Sequence, residues 1–406
     1  MRHPTRETML APRGAVQVSD ADVVIVGAGP AGLAAAYELR RRGLTVRLID
    51  GGARVGEPWR RRHDALRLNT HRWCSSLPGL RIARSAGAYP SRDAFVEYLE
   101  QYERFLSLPI AWGVQVTGIT RVADEGGGWT VETSAGPMRA RDVVLATGPD
   151  RVPVTPAWPG ASTFRGELRH AAAFGRPADY DGQRVLIVGA GNSGVDIANC
   201  LATSDARTLW MSVRSGTTVV PRRLYGVPMQ PLAVALRRSP RWYQDATTTF
   251  MSRLSFGRLD AYKLPLPSKG PFTRFVEDGV ATAIDDGCVA ALRTGRLQVV
   301  PEIACFDGAQ VRFVDGSAIE PDVVIAATGY RTGLEPLVGR FGVLDTLGRP
   351  RVVGGPSGAS GLWFVGQRSN FHGNLYARRV EARALARGIV RRRRKRKVRL
   401  LGYRDE

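Results

Sequence analysis

In DVVIVGAGPAG, residues 22–32, an apolar run passes without a break into glycines at G-x-G-x-x-G spacing. The run reads as a buried strand. Gly27 permits a tight turn, Gly29 lets the backbone approach a pyrophosphate, and Gly32 lets the next helix lie close to the strand. Pro30 and Ala31 open that helix, whose first N–H groups and positive dipole end suit phosphate. A second strand, LTVRLID, ends in Asp50, 18 residues after Gly32, where an acid accepts ribose hydroxyls. A lone glycine motif is a weak signal. Strand, glycines, helix, strand and terminal acid in order make a complete βαβ unit.

The pattern returns. RVLIVG runs into GAGNSG, with Gly189, Gly191 and Gly194 enclosing Asn192 and Ser193. A helix, VDIANCLATSD, and a strand, RTLWMSVRSG, follow. This strand ends in Arg214 and Ser215, and Arg214 lies 20 residues after Gly194. Where an acid would grip a free 2′-hydroxyl, an arginine offers charge-assisted bonds to a 2′-phosphate. Each half also closes alike. WTVETSAGPMRARDVVLATG (129–148) and VRFVDGSAIEPDVVIAATGY (311–330) each read as a hairpin and then a buried strand ending in Ala-Thr-Gly. Two nucleotide modules imply two cofactors, FAD in the first and NADPH in the second.

The expected fold class is therefore α/β: two Rossmann-like dinucleotide-binding domains, the second inserted into the first. The expected segments are a leader over 1–20, FAD-binding parts over 21–150 and 321–390, an NADPH-binding domain over 151–320, and a basic tail over 391–406. Within the NADPH domain, apolar residues at helical spacing (Leu232, Val234, Leu236; Phe250, Met251, Leu254) predict two short helices near 217–269, packed as core or as a cover over the cleft.

Composition narrows the class. The 406 residues, 44% hydrophobic with 46 glycines, suit a soluble α/β protein of two domains. No apolar run is long enough to span a bilayer, and the first 20 residues lack a signal-peptide pattern. The four cysteines, Cys74, Cys200, Cys288 and Cys305, are far apart, and the five histidines form no ligand spacing. A disulfide framework and a metal site are both disfavoured, and a cytoplasmic location is the default. The net charge of +21 comes almost wholly from arginine, as a compositional bias would give. The run Arg391–Lys397 reads first as a solvated, frayed helix end, ahead of a contact with an anionic partner. No nucleic-acid motif accompanies it; its partner is unassigned and a homodimer is left open.

The destination of the electrons rests on other residues. No redox cysteine pair exists, which removes disulfide-reductase chemistry. The stretch FRGELRHAAAF, Phe164 to Phe174, is neither a good strand nor a long amphipathic helix. It resembles the fingerprint of flavin-containing monooxygenases, class B flavoprotein enzymes, and sits just before the second glycine motif as theirs does. Phe174-Gly175 at its end is closer to the N/S-oxygenating or YUCCA-like branch than to Baeyer–Villiger enzymes. The late Ala327-Thr328-Gly329-Tyr330 matches a second hallmark. VGEPWRRRHDALRLNTHRWCSSLPG, AYPSRDAFVEYLEQYERF and GLWFVGQRSNFHGNLYARRVEARALA resemble further segments, so the resemblance runs from about residue 20 to 390. Glu57-Pro58 departs from the glycine-rich run that relatives carry before the residue matching Trp59.

The resemblance implies an enzyme in which NADPH reduces FAD, O2 adds to give a C4a-(hydro)peroxyflavin, and one oxygen atom enters a small organic substrate. N- or S-oxygenation and decarboxylating oxygenation of a 2-oxo acid are both open. The alternative is a reductase passing electrons to a non-disulfide acceptor. By the same resemblance Trp59, Asn69, Thr70, Gly366 and Gln367 join the flavin site. Asn69 is the catalytic candidate, or else an asparagine stabilising a turn. A helix starting near Asn374 would stabilise charge at flavin N1. His170 has no carboxylate placed beside it in sequence to make a general base, so it is assigned to domain coupling and contact with the NADPH module.

Overall fold

The computed structural model describes residues 21–122 and 127–402, with side chains through residue 396. The leader expected over 1–20 and the end of the tail lie outside the described residues.

The first module grows from β1 (Ala21–Val26), helix α1 (Pro30–Arg40) and β2 (Val46–Asp50). β1 is buried because its residues alternate between two covered faces. Val23 and Ile25 meet α1, while Val24 and Val26 meet the opposite layer. Four more strands extend the sheet: β3 (Ile110–Trp112), β4 (Val116–Val122), β5 (Gly128–Thr133) and β6 (Met138–Leu145), in the order β3-β2-β1-β6-β5-β4. β1 pairs in parallel with β2 and β6, and β4 to β6 form the antiparallel meander. The strand Leu362–Phe364 then returns from the far end of the chain and pairs in parallel with β6.

Two helices complete this module. Arg92–Leu106 starts at Ser91, whose hydroxyl accepts from Ala94 N at 3.2 Å. Its Phe95, Tyr98, Leu99, Tyr102 and Leu106 fall on one face and are buried against α1. Each such side chain contributes about 1.5–3 kcal/mol by leaving water. The long helix Asn374–Gly402 packs on α1 through Ala382, Leu385, Ala386 and Ile389.

The second module is a five-stranded parallel sheet. In spatial order its strands are 297–300, 208–212, 184–188, 323–326 and 167–170. Two expectations change here. The boundary expected at 320–321 moves, because Val323–Ala326 lies inside this second sheet as the closing strand of the second half. The chain therefore crosses back after it. And Glu167–His170, inside the stretch that reads as neither strand nor helix, is an edge strand. Its conformation is imposed by pairing with the apolar strand 323–326, which its own polar sequence does not announce.

The insert is larger than expected. Val219–Pro221 pairs with Ala283–Asp285, and the helices Met229–Ala235, Arg241–Phe256 and Pro271–Asp278 lie between them. The two connections between modules run side by side: Val152–Pro153 and Tyr330–Arg331 form a two-stranded antiparallel ribbon.

The tail also differs. The long helix continues through the basic run, and Arg392 and Arg393 are engaged with acidic side chains. Arg393 pairs with Asp22 and Asp142, and Arg392 with Asp142, whose side chain is fully buried. Trp363 Nε1 donates to the same carboxylate at 2.8 Å. The run locks the helix to the ends of β1 and β6 as well as meeting solvent.

Candidate functional site

The two glycine loops repeat one geometry. Gly27 and Gly189 have φ of +105° and +104°, a region that disfavours any side chain. A Cβ on Gly32 would stand 1.8 Å from the Gly27 carbonyl oxygen, and one on Gly194 would stand 1.8 Å from that of Gly189. These glycines let helix and strand touch. Gly29 and Gly191 differ, since a Cβ there meets nothing within 4 Å. They precede the helix starts at Pro30 and Asn192 and face the space a diphosphate would fill. Ala31 is buried, and Ser193 lines a small cavity at the module boundary with Arg62, His63, Phe174 and Asp196.

Asp50 sits at the end of β2, but its carboxylate also organises the loop. Oδ2 accepts from Ala28 N at 2.6 Å and Oδ1 from Gly52 N at 2.7 Å. Arg214 and Ser215 lie beyond the strand Thr208–Ser212. The Arg214 side chain is 77% exposed and 3.8 Å from Glu302. Ser215 Oγ accepts from Arg274 at 2.8 Å.

On the other side of the first loop, Gly366 has φ +67°, and a Cβ there would meet Ala31 Cβ at 2.5 Å. Its N–H donates to Glu381 at 2.8 Å. Burial pushes the Glu381 carboxyl up, against the opposing pull of that N–H and of Arg378. Gln367 is fully buried. Its Nε2 donates to Thr147 Oγ1 at 3.1 Å, while its Oε1 has no partner among the described residues. A buried acceptor of this kind calls for a donor. The final helix begins at Asn374, as expected.

Trp59, on a single helical turn, packs edge-on against Phe95 at 4.7 Å between ring centres. Thr70 Oγ1 lies 2.7 Å from Ser75 Oγ, and a Cβ on Gly373 would come within 3.1 Å of Thr70 Cγ2. The chain around Asn69 and Thr70 therefore meets the segment before the final helix.

Asn69 Oδ1 accepts from Arg222 Nη2 at 3.2 Å. A guanidinium has only donors, so this bond orients the amide and leaves its NH2 to face elsewhere. Arg222 is held in turn by Asp286 at 2.6 Å, and its carbonyl accepts from Tyr89 OH at 2.7 Å. Arg222 and Arg223 both lean over the Tyr89 ring, 5.3 and 5.1 Å from its centre.

The insert covers this region. Gln230 Oε1 accepts from His71 N at 2.6 Å, and its Nε2 donates to the His372 carbonyl at 3.0 Å. Gln244 Oε1 lies 3.0 Å from His372 Nε2.

His170 closes the crossing between modules. Its Nδ1 accepts from Ala172 N at 3.0 Å, so its Nε2 carries the proton and donates to the Gly329 carbonyl at 3.0 Å. The ring stands edge-on to Tyr330, 4.8 Å between centres. Burial lowers its pKa. With both nitrogens engaged, the ring has no lone pair to act as a base. Its contacts join the signature to Gly329 and Tyr330 of the second Ala-Thr-Gly segment and do not reach the glycine loop. Phe174 stacks on Tyr180 and meets His63 edge-on, and His63 Nε2 lies 3.3 Å from Asp196 on the helix after the second glycine loop.

Arg222, Gln230, His63 and Arg274 are absent from the sequence reading. None belongs to a motif, and each acts across more than 59 positions or from the insert. The pairing of Pro-Arg-Arg at 221–223 with Tyr89 left no local trace.

The chain matches the family described as pyridine nucleotide-disulphide oxidoreductase over residues 24–223. All four cysteines are free, so the match reflects the nucleotide-binding architecture. The chain is 30% identical over 382 residues to the probable indole-3-pyruvate monooxygenase YUCCA3 of Arabidopsis thaliana, covering 91% of this chain and 86% of that protein. It is 33% identical over 384 residues to the indole-3-pyruvate monooxygenase YUCCA4 of Oryza sativa subsp. japonica, covering 87% and 86%. The solved flavin-containing monooxygenase from Stenotrophomonas maltophilia is similar at TM-score 0.71 and 26% identity, covering 91% of this chain and 98% of that one.

Proposed function

Because the chain belongs to the flavin-containing monooxygenase family, in its YUCCA-like branch, we propose that its substrate is an aromatic 2-oxo acid. The enzyme itself is an NADPH- and FAD-dependent monooxygenase that places one atom of O2 in a small organic substrate. The residues present fit FAD: open space beside Gly29 at a helix start, and an unpartnered Gln367 oxygen on the other side of the loop. When bound, FAD supplies the electron store that activates O2, and NADPH supplies the hydride.

The chain's residues divide the remaining work. The N–H groups of Ala31 and Gly32, at the helix start that Pro30 opens without an N–H of its own, would hold the FAD diphosphate, and Asp50 would take the ribose through lone pairs left over from Ala28 and Gly52. Gln367 and Gly366 would hold the ring system, and the helix start at Asn374 would supply a positive dipole end toward it. Trp59 and Thr70 form its walls. Gly191, Asn192, Ser193 and Gly194 hold the NADPH diphosphate, and Arg214 and Ser215 meet its 2′-phosphate. Asn69, oriented by Arg222, donates its amide N–H to the reacting oxygen. The insert excludes water over this region through Gln230.

One observation favours the 2-oxo acid over amines and sulfides. Arg223 leans over Tyr89 next to Arg222, which Asp286 and Asn69 already hold, and the Arg223 cation attracts a carboxylate next to an aromatic ring. The expected reaction takes a 2-oxo acid, O2, NADPH and a proton to the shortened carboxylic acid, CO2, NADP⁺ and water.

The test uses holoenzyme, NADPH and ¹⁸O2 with indole-3-pyruvate, phenylpyruvate, a thioether and a tertiary amine in parallel. One ¹⁸O atom in the carboxylate of the shortened acid is expected. Label only in a sulfoxide or N-oxide would overturn the substrate class. NADPH consumption with no labelled product from any substrate would favour the reductase reading.

A further inference from the structure

We propose that Arg274, on the insert helix Pro271–Asp278, is a second cationic anchor for the 2′-phosphate of NADPH, so that the nucleotide holds the insert on the second module. The proposal rests on the reading of that module as the NADPH site.

Arg274 is 7% exposed. Its Nη2 donates to Ser215 Oγ at 2.8 Å, and its Nη1 is buried with no hydrogen-bond partner among the described residues. Among the described residues no carboxylate forms an ion pair with it. Asp278 acts on it at longer range, but Lys269 already holds Asp278 at 3.0 Å. A buried guanidinium without a counter-ion is costly. A phosphate at this point would satisfy the free N–H groups and neutralise the charge together.

The location fits that anion. Ser215 follows Arg214 at the tip of the strand 208–212. Two residues further on, Thr217 Oγ1 donates to the Ala190 carbonyl at 2.9 Å. Ala190 lies inside the second glycine loop, so Arg274 reaches a segment tied to that loop. Its own helix is held rigidly. Asp245 accepts from Phe272 N at 2.7 Å, from Thr273 N at 3.1 Å and from the Thr273 hydroxyl. Gly270 passes so close that a Cβ would stand 2.2 Å from Asp245 Cγ. A Cβ on Gly216 would meet the Leu266 carbonyl carbon at 2.3 Å, which seats the insert against the same tip.

The two arginines differ in environment. Arg214 is exposed and shares Glu302, where solvent screens its charge. Arg274 is buried, where the same charge acts more strongly. Arg274 therefore carries more of the discrimination between NADPH and NADH than Arg214 does.

The experiment measures Kd for NADP⁺, NAD⁺, 2′,5′-ADP and 5′-AMP with FAD-loaded wild type and with Arg274→Gln, Arg274→Lys and Arg214→Gln. Arg274→Gln is expected to weaken NADP⁺ and 2′,5′-ADP about 10- to 100-fold, the scale of lost charged hydrogen bonds, and to leave NAD⁺ and 5′-AMP unchanged. Arg274→Lys should recover part of the loss. In the wild-type chain, 2′,5′-ADP but not 5′-AMP should slow amide exchange in the helix 271–278, a readout that needs no variant. Equal losses for phosphorylated and unphosphorylated ligands, or no extra protection by 2′,5′-ADP, would overturn the role of Arg274. A wild type that does not distinguish NADP⁺ from NAD⁺ would overturn the NADPH reading itself.

Discussion

At the scale of single residues, glycines with the same motif rank do different jobs. Gly32 and Gly194 leave no room for a methyl group, whereas Gly29 and Gly191 face open space. Gly32→Ala is therefore expected to fail to fold or to lose several kcal/mol of stability, since overpacking costs about 1–3 kcal/mol even where side chains give way. Gly29→Ala should fold with an unchanged Tm for the FAD-free protein but be purified with little FAD. Absorbance at the flavin band against total protein separates the two. A fully flavin-loaded Gly29→Ala would remove the diphosphate from this loop.

His170 makes a second prediction at this scale. Burial lowers its pKa, and the Ala172 N–H requires an unprotonated Nδ1. The fold favours the neutral ring more strongly than the unfolded chain does. Its contribution is present above the ordinary imidazole value of 6.5 and is lost as pH falls through the lower folded value. Burial lowers His71 and His372 in the same direction. The Tm should be level from pH 8 to about 6.5 and decline below it, and His170→Gln should make that decline shallower. A Tm that rises on acidification would contradict the assignment.

At the scale of elements, the C-terminal helix shows how a charge run becomes structural. Read alone, Arg391–Lys397 is a solvated end. In the fold, Arg392 and Arg393 neutralise the fully buried Asp142, and Arg393 also holds Asp22. The Asp22 carboxyl is held below its usual range by its Thr45 and Arg393 bonds, which outweigh its partial burial. Replacing both arginines by alanine leaves a buried carboxylate with Trp363 as its remaining donor. A loss of about 3–5 kcal/mol follows, measurable by urea denaturation. The signature strand Glu167–His170 is the opposite case. Its sequence lacks the alternation of a strand, and only the apolar edge of 323–326 makes it one.

At the scale of the whole molecule, the insert ties the NADPH module to the FAD half through Gln230, which bonds both His71 and the His372 carbonyl. Gln230→Ala should leave NADP⁺ affinity unchanged and raise the hydrogen peroxide formed per NADPH consumed severalfold, because the cleft admits water. Peroxide yield equal to wild type would remove the insert from the coupling of electrons to product. The paired crossings at Val152–Pro153 and Tyr330–Arg331 make any relative motion of the modules a bend of one ribbon.

The two βαβ units and their cofactors were legible from residue order, and the monooxygenase class from the resemblance of Phe164 to Phe174 and Ala327 to Tyr330 to a known family. Turn, phosphate cradle and helix start are local geometry, set by glycines a few positions apart, and the absence of a cysteine pair is a property of the list of residues. The site around Asn69 was not legible to the same depth. Arg222, Gln230 and Arg274 act from an insert whose sequence carries no motif. Burial of the tail's arginines and the pairing of an unpromising stretch as an edge strand both depend on contacts between distant segments. Local sequence sets backbone conformation where short-range sterics dominate. The environment of a charge is set by what the folded chain brings next to it.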